Sequence, residues 1–188
     1  MAALEPPVCE FGKPAPDFAL LGVDGCTWSL ADCRGPKGLL VMFICQHCPY
    51  VQAIHDRIVR DARALQSIGI GSVAIMSNDT AAYPDDSFVN MRLAAAQHQY
   101  PFPYLLDESQ NVARRYGAVC TPDFFGYNAN LQLQYRGRLD ASRKQAAAPD
   151  TIRELFIAMQ TIAATGQGPA QQIPSIGCSI KWKTHKLI

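Results

Sequence analysis

The chain has 188 residues and a mass of 20.6 kDa, and its 48% hydrophobic residues suffice for one substantial core. Seventeen basic and 16 acidic residues leave a formal net charge of +1, which excludes a global field favouring nucleic acid or an anionic membrane. Seven cysteines are an odd number in a chain too large to need stapling, so any pair that matters is expected to be redox-active or metal-binding rather than a scaffold disulfide.

Residues 1–37 are rich in Pro, Gly and Asp, with "PDFAL" and "GCTWSL" as short apolar pieces. They read as an irregular lead-in with two short strands. The opening "MAALEPPVCEFGKPAPDF" has no basic start followed by a long apolar stretch, so a soluble, cytoplasmic protein is expected. "GLLVMFI", Gly38 to Ile44, is a continuous apolar run that suits a strand covered on both faces. From Pro49 to Ser67, Val51, Ile54, Ile58, Ala62 and Leu65 recur at spacings of three and four. That pattern predicts one amphipathic helix with Pro49 in its first turn. "SVAIMS", Ser72 to Ser77, predicts a second buried strand and thus a βαβ unit with parallel pairing.

"NDTAAYPDDS" reads as a loop, with Asp86 or Ser87 capping a helix through Gln97. "YPFPYLLD" holds a short strand at most, because each proline lacks a donor. Asp107 is expected to cap "ESQNVARRY", and Gly117 to end it in a left-handed conformation. "DFFGYN" and "LQLQYRGRL" flank Ala129-Asn130 and predict a hairpin. Pro149 to Thr165 predicts an amphipathic helix with a Thr151–Glu154 capping box. The tail over 166–188 is Gly, Pro and Gln rich until "SIGCSIKWK". The whole predicts a single α/β domain over 1–188 with a central mixed sheet of about five strands flanked by helices.

The stretch "FICQHCPYV" carries the chemistry. A helix N-terminus bears roughly half a positive charge and unpaired N–H groups, so a thiol there is favoured as thiolate, the attacking species in disulfide exchange. Cys48 directly precedes Pro49, which places it at that terminus; Cys45 lies in the preceding turn within bonding reach. Cys48 is therefore assigned the attack and Cys45 the resolution, with His47 adding positive charge when protonated. Two other readings stay open. A zinc site would need its remaining ligands from His47, His55, Cys120 or a distant cysteine, and two buried cysteines can simply pack as small apolar residues.

Together "GKPAPDFAL", "GLLVMFICQHCPYV", "NDTAAYPDDS", "YLLDESQNVARRYGAVCTPDFF" and "YRGRLD" resemble the redoxin branch of the thioredoxin superfamily, which includes peroxiredoxins and thioredoxin-like oxidoreductases. The likeness runs from Gly12 to Trp182 and implies a thioredoxin fold with a thiol-based site. Aligned on the thioredoxin strand V-x-F-W-A-x-W-C-G-x-C, Cys48 falls on the attacking cysteine and Val51 on the second, so Cys45 must serve instead. Against the peroxiredoxin pattern T-x-x-C-P, Cys48-Pro49 matches the peroxidatic Cys-Pro, whereas Cys45 replaces the threonine. Thr121-Pro122 resembles the loop whose cis-proline lies beside the attacking sulfur, which would bring Cys120 near the site. Met42 stands where many thioredoxins carry a buried aspartate.

Asp79, at the carboxyl end of the second strand, and Arg136 or Arg138 are candidate helpers. Cys178, on the tail, is a candidate third thiol that resolves a mixed disulfide, with simple docking of Ile180 and Trp182 as the alternative. Cys9, Cys26 and Cys33 read as incidental, and His98 and His185 as surface residues. The expected activity is thiol-disulfide exchange on protein or small-molecule disulfides, the alternative being reduction of hydroperoxides. A cellular thiol reductant is the expected partner; no cofactor, metal, nucleic acid or membrane is expected.

Overall fold

The computed structural model describes residues 3–4 and 10–184. In chain order its elements are β1 (Ala3–Leu4), β2 (Ala19–Gly22), β3 (Thr27–Ser29), α1 (Leu30–Cys33), β4 (Gly38–Phe43), α2 (Pro49–Gln52), α3 (His55–Ser67), β5 (Ile70–Met76), a 3-10 turn (Pro84–Asp86), α4 (Phe88–Gln97), β6 (Tyr104–Leu106), α5 (Asn111–Tyr116), β7 (Cys120–Thr121), β8 (Asp123–Asn128), β9 (Leu133–Tyr135), α6 (Glu154–Thr165) and β10 (Gly177–Ser179). Cys9 and His185 lie outside the described residues.

The central sheet runs β3-β2-β6-β5-β4-β8-β9, seven strands rather than about five. The lead-in accounts for the excess: β2 pairs antiparallel with β3 and with β6 and so extends one edge. At the centre, Lys37 N donates to Gly69 O and Ile44 N to Ile75 O, so β4 and β5 start and end together and run parallel. The predicted βαβ unit is therefore present. β4 is buried along its whole length. Leu40, Met42 and Ile44 face the helical layer of α3 and α6, while Leu39, Val41 and Phe43 face Val112, Tyr116 and Phe125 on the other side. Alternation with period two sends a continuous apolar run into two cores at once, and each large side chain so buried contributes about 1.5–3 kcal/mol.

Two helices differ from the sequence expectation. The helix expected over 49–67 is interrupted at Ala53–Ile54, leaving a single-turn α2 before α3. The apolar spacing continues across the break because Val51, Ile54 and Ile58 enter the same core, so periodicity does not register it. The helix expected from Pro149 starts only at Glu154, with no capping box. Glu154 instead takes a bidentate pair from Arg138 at 2.9 and 2.6 Å, and Arg153 reaches buried Asp61 at 2.9 Å. Two charge-assisted contacts outweigh one local cap. Ser87 does cap α4, and Gly117 ends α5 in the left-handed conformation. Asp107 does not occupy the cap position of α5, which is Gln110, but its carboxylate accepts from Ala113 N at 2.9 Å. No helix among the described residues is long and apolar enough to cross a membrane.

The tail is less irregular than its composition suggests. β10 joins a small antiparallel sheet between β1 and β7, with Cys178 opposite Thr121 and Ser179 opposite Cys120.

Candidate active site

The turn from β4 into α2 presents Cys45, Gln46, His47 and Cys48. Both sulfurs are fully buried. Cys48 is the N-cap of α2, where its carbonyl accepts from Val51 N and Gln52 N. Since α2 has 4 residues, the field at its start is that of one turn, weaker than that expected of a long helix.

The Thr121–Pro122 bond is cis and lies against both cysteines. Cys48 Sγ donates to the Thr121 carbonyl at 3.0 Å, and Cys45 Sγ lies 3.2 Å from Thr121 Oγ1. The Cys48 thiol is lowered from 9.0 to about 5, chiefly by the hydrogen bond from Cys45, against the opposing effect of burial and with further help from the Cys178 thiol and N–H and from Thr121. The carbonyl contact favours the neutral thiol, but these several donors favour the thiolate and outweigh it. Cys45 moves the other way, well above 9.0, because its hydrogen bond to Cys48 holds its proton, burial adds to this, and the Asp86 charge raises it further. The surroundings thus pull the two thiols in opposite directions, Cys48 toward the thiolate and Cys45 toward the neutral thiol.

Asp86 organises the turn. Wholly buried, it accepts from Gln46 N at 2.7 Å, His47 N at 3.2 Å, His47 Nδ1 at 2.5 Å and Asn78 Nδ2 at 2.8 Å. His47 Nδ1 also lies 3.9 Å from Cys45 Sγ, and its ring stacks on Tyr83. The ligand atoms of Cys45, His47 and Asp86 lie within 4.8 Å of one another, a donor set a metal ion could use. Here His47 Nδ1 and Asp86 satisfy each other and the surroundings push the Cys45 thiol up, whereas a metal needs the thiolate. His55, another zinc candidate, packs on the His98 ring at 4.1 Å instead. That contact leaves His98 half-buried rather than on the surface.

A cleft of about 200 Å³ opens beside the cis-proline, lined by Tyr50, Ile54, Pro122, Phe124, Leu139 and Ile173, with Arg138 and Arg143 at its polar side.

The model of the AhpC/TSA family matches residues 11–143, well over half of the sequence. The chain belongs to the AhpC/TSA family. Among solved structures, an uncharacterized conserved protein from Geobacillus kaustophilus is 44% identical, with 97% of each chain covered and a TM-score of 0.91. A hypothetical protein from Sinorhizobium meliloti 1021 is 36% identical, covering 96% of this chain and 98% of that one, with a TM-score of 0.91. A thiol:disulfide interchange protein, thioredoxin family protein, from Chlorobium tepidum TLS is 17% identical over 83% of this chain and 99% of its own, with a TM-score of 0.62; that likeness concerns the fold alone. No curated protein matches. Membership of the AhpC/TSA family supports a thiol-based oxidoreductase activity at a coarse level.

In this AhpC/TSA protein the sequence-derived candidates divide into two groups. Cys45, His47, Cys48, Thr121, Pro122 and Cys178 converge. Cys120 is buried on β7 with its thiol toward the Pro122 carbonyl at 3.6 Å, and burial pushes its pKa up. Asp79 turns its carboxylate to Ala81 N at 3.1 Å, within its own loop. Arg136 forms a buried pair with Asp123 at 3.0 Å and donates to Gly117 O at 2.7 Å. Arg138 is held by Glu154. Asp86 was legible only as a capping residue: its spacing from the cysteines follows from the course of the loop after β5, which no local pattern encodes. Gln46, whose amide donates to Tyr104 Oη at 2.7 Å, and Asn78 were missed for the same reason.

Proposed function

We propose that this chain is a thiol-disulfide oxidoreductase in which Cys48 attacks and Cys45 resolves. The observation that carries this reading is the convergence of both sulfurs on Thr121, Cys48 Sγ at 3.0 Å from its carbonyl and Cys45 Sγ at 3.2 Å from its Oγ1, where the surroundings draw the Cys48 pKa down and push that of Cys45 up. The Cys48 thiolate attacks one sulfur of a substrate disulfide; that S–S bond breaks, the first thiolate departs and a mixed disulfide on Cys48 remains. With Cys48 capped, the charge that held the proton on Cys45 is gone. Cys45 then attacks the Cys48 sulfur, and the second substrate thiolate leaves and takes that proton. A cellular thiol reduces the resulting Cys45–Cys48 disulfide.

The low pKa does more for the oxidised state than for the rate of attack. At pH 7 a thiol of pKa about 5 is ~99% ionised against a few per cent for a free cysteine, but its intrinsic nucleophilicity falls with a Brønsted slope of about 0.4–0.5. The two effects nearly cancel. A stabilised thiolate does favour the reduced pair, which makes the Cys45–Cys48 disulfide an oxidising one.

The match to the AhpC/TSA family favours a second reading, in which a hydroperoxide oxidises Cys48 to the sulfenic acid and Cys45 condenses with it, releasing water. Reduced wild type and Cys48→Ser, assayed against glutathione disulfide and hydrogen peroxide, separate the two. Cys48-dependent consumption of the disulfide, with peroxide consumed no faster than by a free thiol, is the expected result. A fast Cys48-dependent peroxide reaction would move the assignment to peroxidase, and wild-type rates in Cys48→Ser would remove both.

A further inference from the structure

The Cys48 sulfur has a second thiol neighbour besides Cys45, and it arrives on a strand from the far end of the chain. β10 lies antiparallel along β7 with Cys178 directly opposite Thr121, the residue whose carbonyl touches Cys48 Sγ at 3.0 Å. The approach is very close: a Cβ on Gly177 would stand 2.0 Å from the Thr121 carbonyl oxygen and 3.0 Å from Pro122 N, so only glycine fits. Beyond β10 the tail is tied down at each residue. Ile180 N donates to Val119 O at 2.9 Å. Lys181 N donates to Asn78 Oδ1 at 2.8 Å, Lys181 O accepts from Gln110 Nε2 at 2.8 Å, and Lys183 N donates to Gln110 Oε1 at 2.8 Å. Ile180 is buried, and Arg114 stacks on the Trp182 ring at 4.3 Å. Asn78 thus contacts both the tail and Asp86, linking the tail to the Cys45–Cys48 turn.

A strand edge takes one partner at a time. With β10 in place, the edge of β7 beside Cys48 is filled, and the thiol presented there is the chain's own. We propose that β10 is a tethered substrate strand and Cys178 a third redox thiol, which exchanges with the Cys45–Cys48 disulfide to form a Cys48–Cys178 disulfide. This inference rests on the assignment of Cys48 as the attacking thiol. In the step, Cys178 attacks the Cys48 sulfur, the Cys45–Cys48 bond breaks as the Cys48–Cys178 bond forms, and Cys45 departs as thiolate and takes up the proton lost by Cys178. No net oxidation occurs; the oxidising equivalents come from the substrate disulfide that first oxidised Cys48.

The surroundings favour this order of events. In the reduced protein Cys178 is held up to about 12, first by burial and then by its hydrogen bond to, and the charge on, Cys48, while Lys181 opposes both. Oxidation of Cys48 removes its two contributions and leaves burial alone to be opposed by Lys181. Cys178 is therefore an inert thiol beside reduced Cys48 and a readier nucleophile beside oxidised Cys48. The bond so formed fixes the tail over the site.

The test uses full-length protein and glutathione disulfide, read by intact mass and by peptide mapping. In Cys45→Ser the proposal predicts that a glutathione adduct on Cys48 appears and then decays, without added reductant, into a Cys48–Cys178 disulfide. In the Cys45→Ser/Cys178→Ser double variant the adduct should persist. A stable adduct in both variants would overturn the role of Cys178 while leaving Cys48 as attacker. Absence of any Cys48 adduct in the double variant, with adducts elsewhere, would overturn the assignment of Cys48 itself. Wild type treated with one equivalent of glutathione disulfide gives an independent reading that needs no variant to fold: Cys48–Cys178 peptides are expected beside Cys45–Cys48 peptides, and Cys45–Cys48 alone would refute the exchange.

Discussion

If the hydrogen bond from Cys45 is the largest influence lowering the Cys48 pKa, deleting that donor must raise it, and replacing it with another donor must not. A hydrogen bond to a charged group is worth about 1.5–3 kcal/mol, and one pKa unit is about 1.4 kcal/mol. Cys45→Ala should therefore move Cys48 up by about 1–2 units from its value of about 5. Cys45→Ser keeps an O–H at the same position and should shift Cys48 by less than about half a unit. The assay is the pH dependence of Cys48 alkylation by iodoacetamide, quantified on its peptide so that the other cysteines do not contribute. A second readout follows from the Brønsted slope: above its inflection, the Ala variant should attack glutathione disulfide about 3- to 8-fold faster than wild type, because a more basic thiolate is the better nucleophile. Below pH 5 it should be slower. An unmoved inflection in Cys45→Ala, or an equal shift in Cys45→Ser, would refute this account of the polarised pair.

Three further outcomes are expected. The Cys48 pKa is depressed on folding, from 9.0 to about 5. The unfolded chain therefore binds more protons between those values, and stability of the reduced protein should rise with pH by up to about 1.4 kcal/mol per unit. This contribution is complete above the unfolded value and lost as pH falls toward the folded one; denaturant titrations from pH 5 to 8 should show the slope in wild type and its loss in Cys48→Ser. Asp86→Asn replaces an acceptor of four hydrogen bonds with a group that must turn a donor toward one of them. A loss of about 1–3 kcal/mol is expected, together with a lower Cys45 pKa, since the Asp86 charge helps hold it up. An unchanged melting transition would count against Asp86 as the organiser of the turn. Gly177→Ala puts a methyl 2.0 Å from the Thr121 oxygen and should lift β10, so that alkylation of Cys48 becomes severalfold faster at the pH of its plateau. An unaltered rate would mean that the tail does not cover the sulfur.

The strand order at the heart of the molecule and the placement of the cysteines follow from local sequence. A seven-residue apolar run suits a strand buried on both faces, the following spacing of three and four suits helix although it runs across the break at Ala53–Ile54, and the Cys-x-x-Cys falls at their junction. The polarity of the pair was reached from the same junction by way of a long helix dipole, and there the reason changes: α2 is a single turn, and the donors that lower Cys48 are side chains and an N–H from Cys45, Thr121 and Cys178. Two of these three residues are more than seventy positions away in sequence. Glu154 shows the same limit, since a capping box readable at Thr151 gives way to a bidentate arginine from β9's far side. Local preferences of a few tenths to about one kcal/mol decide an element only where no long-range contact competes. Sequence by itself therefore determined the central strands β4 and β5, the helical segment between them and where the two cysteines enter. Only the tertiary structure decided which carboxylate anchors their loop, which donors draw the Cys48 pKa down, and that the tail's own cysteine lies against it, because each depends on groups brought together by the closing of loops whose lengths carry no record of their destination.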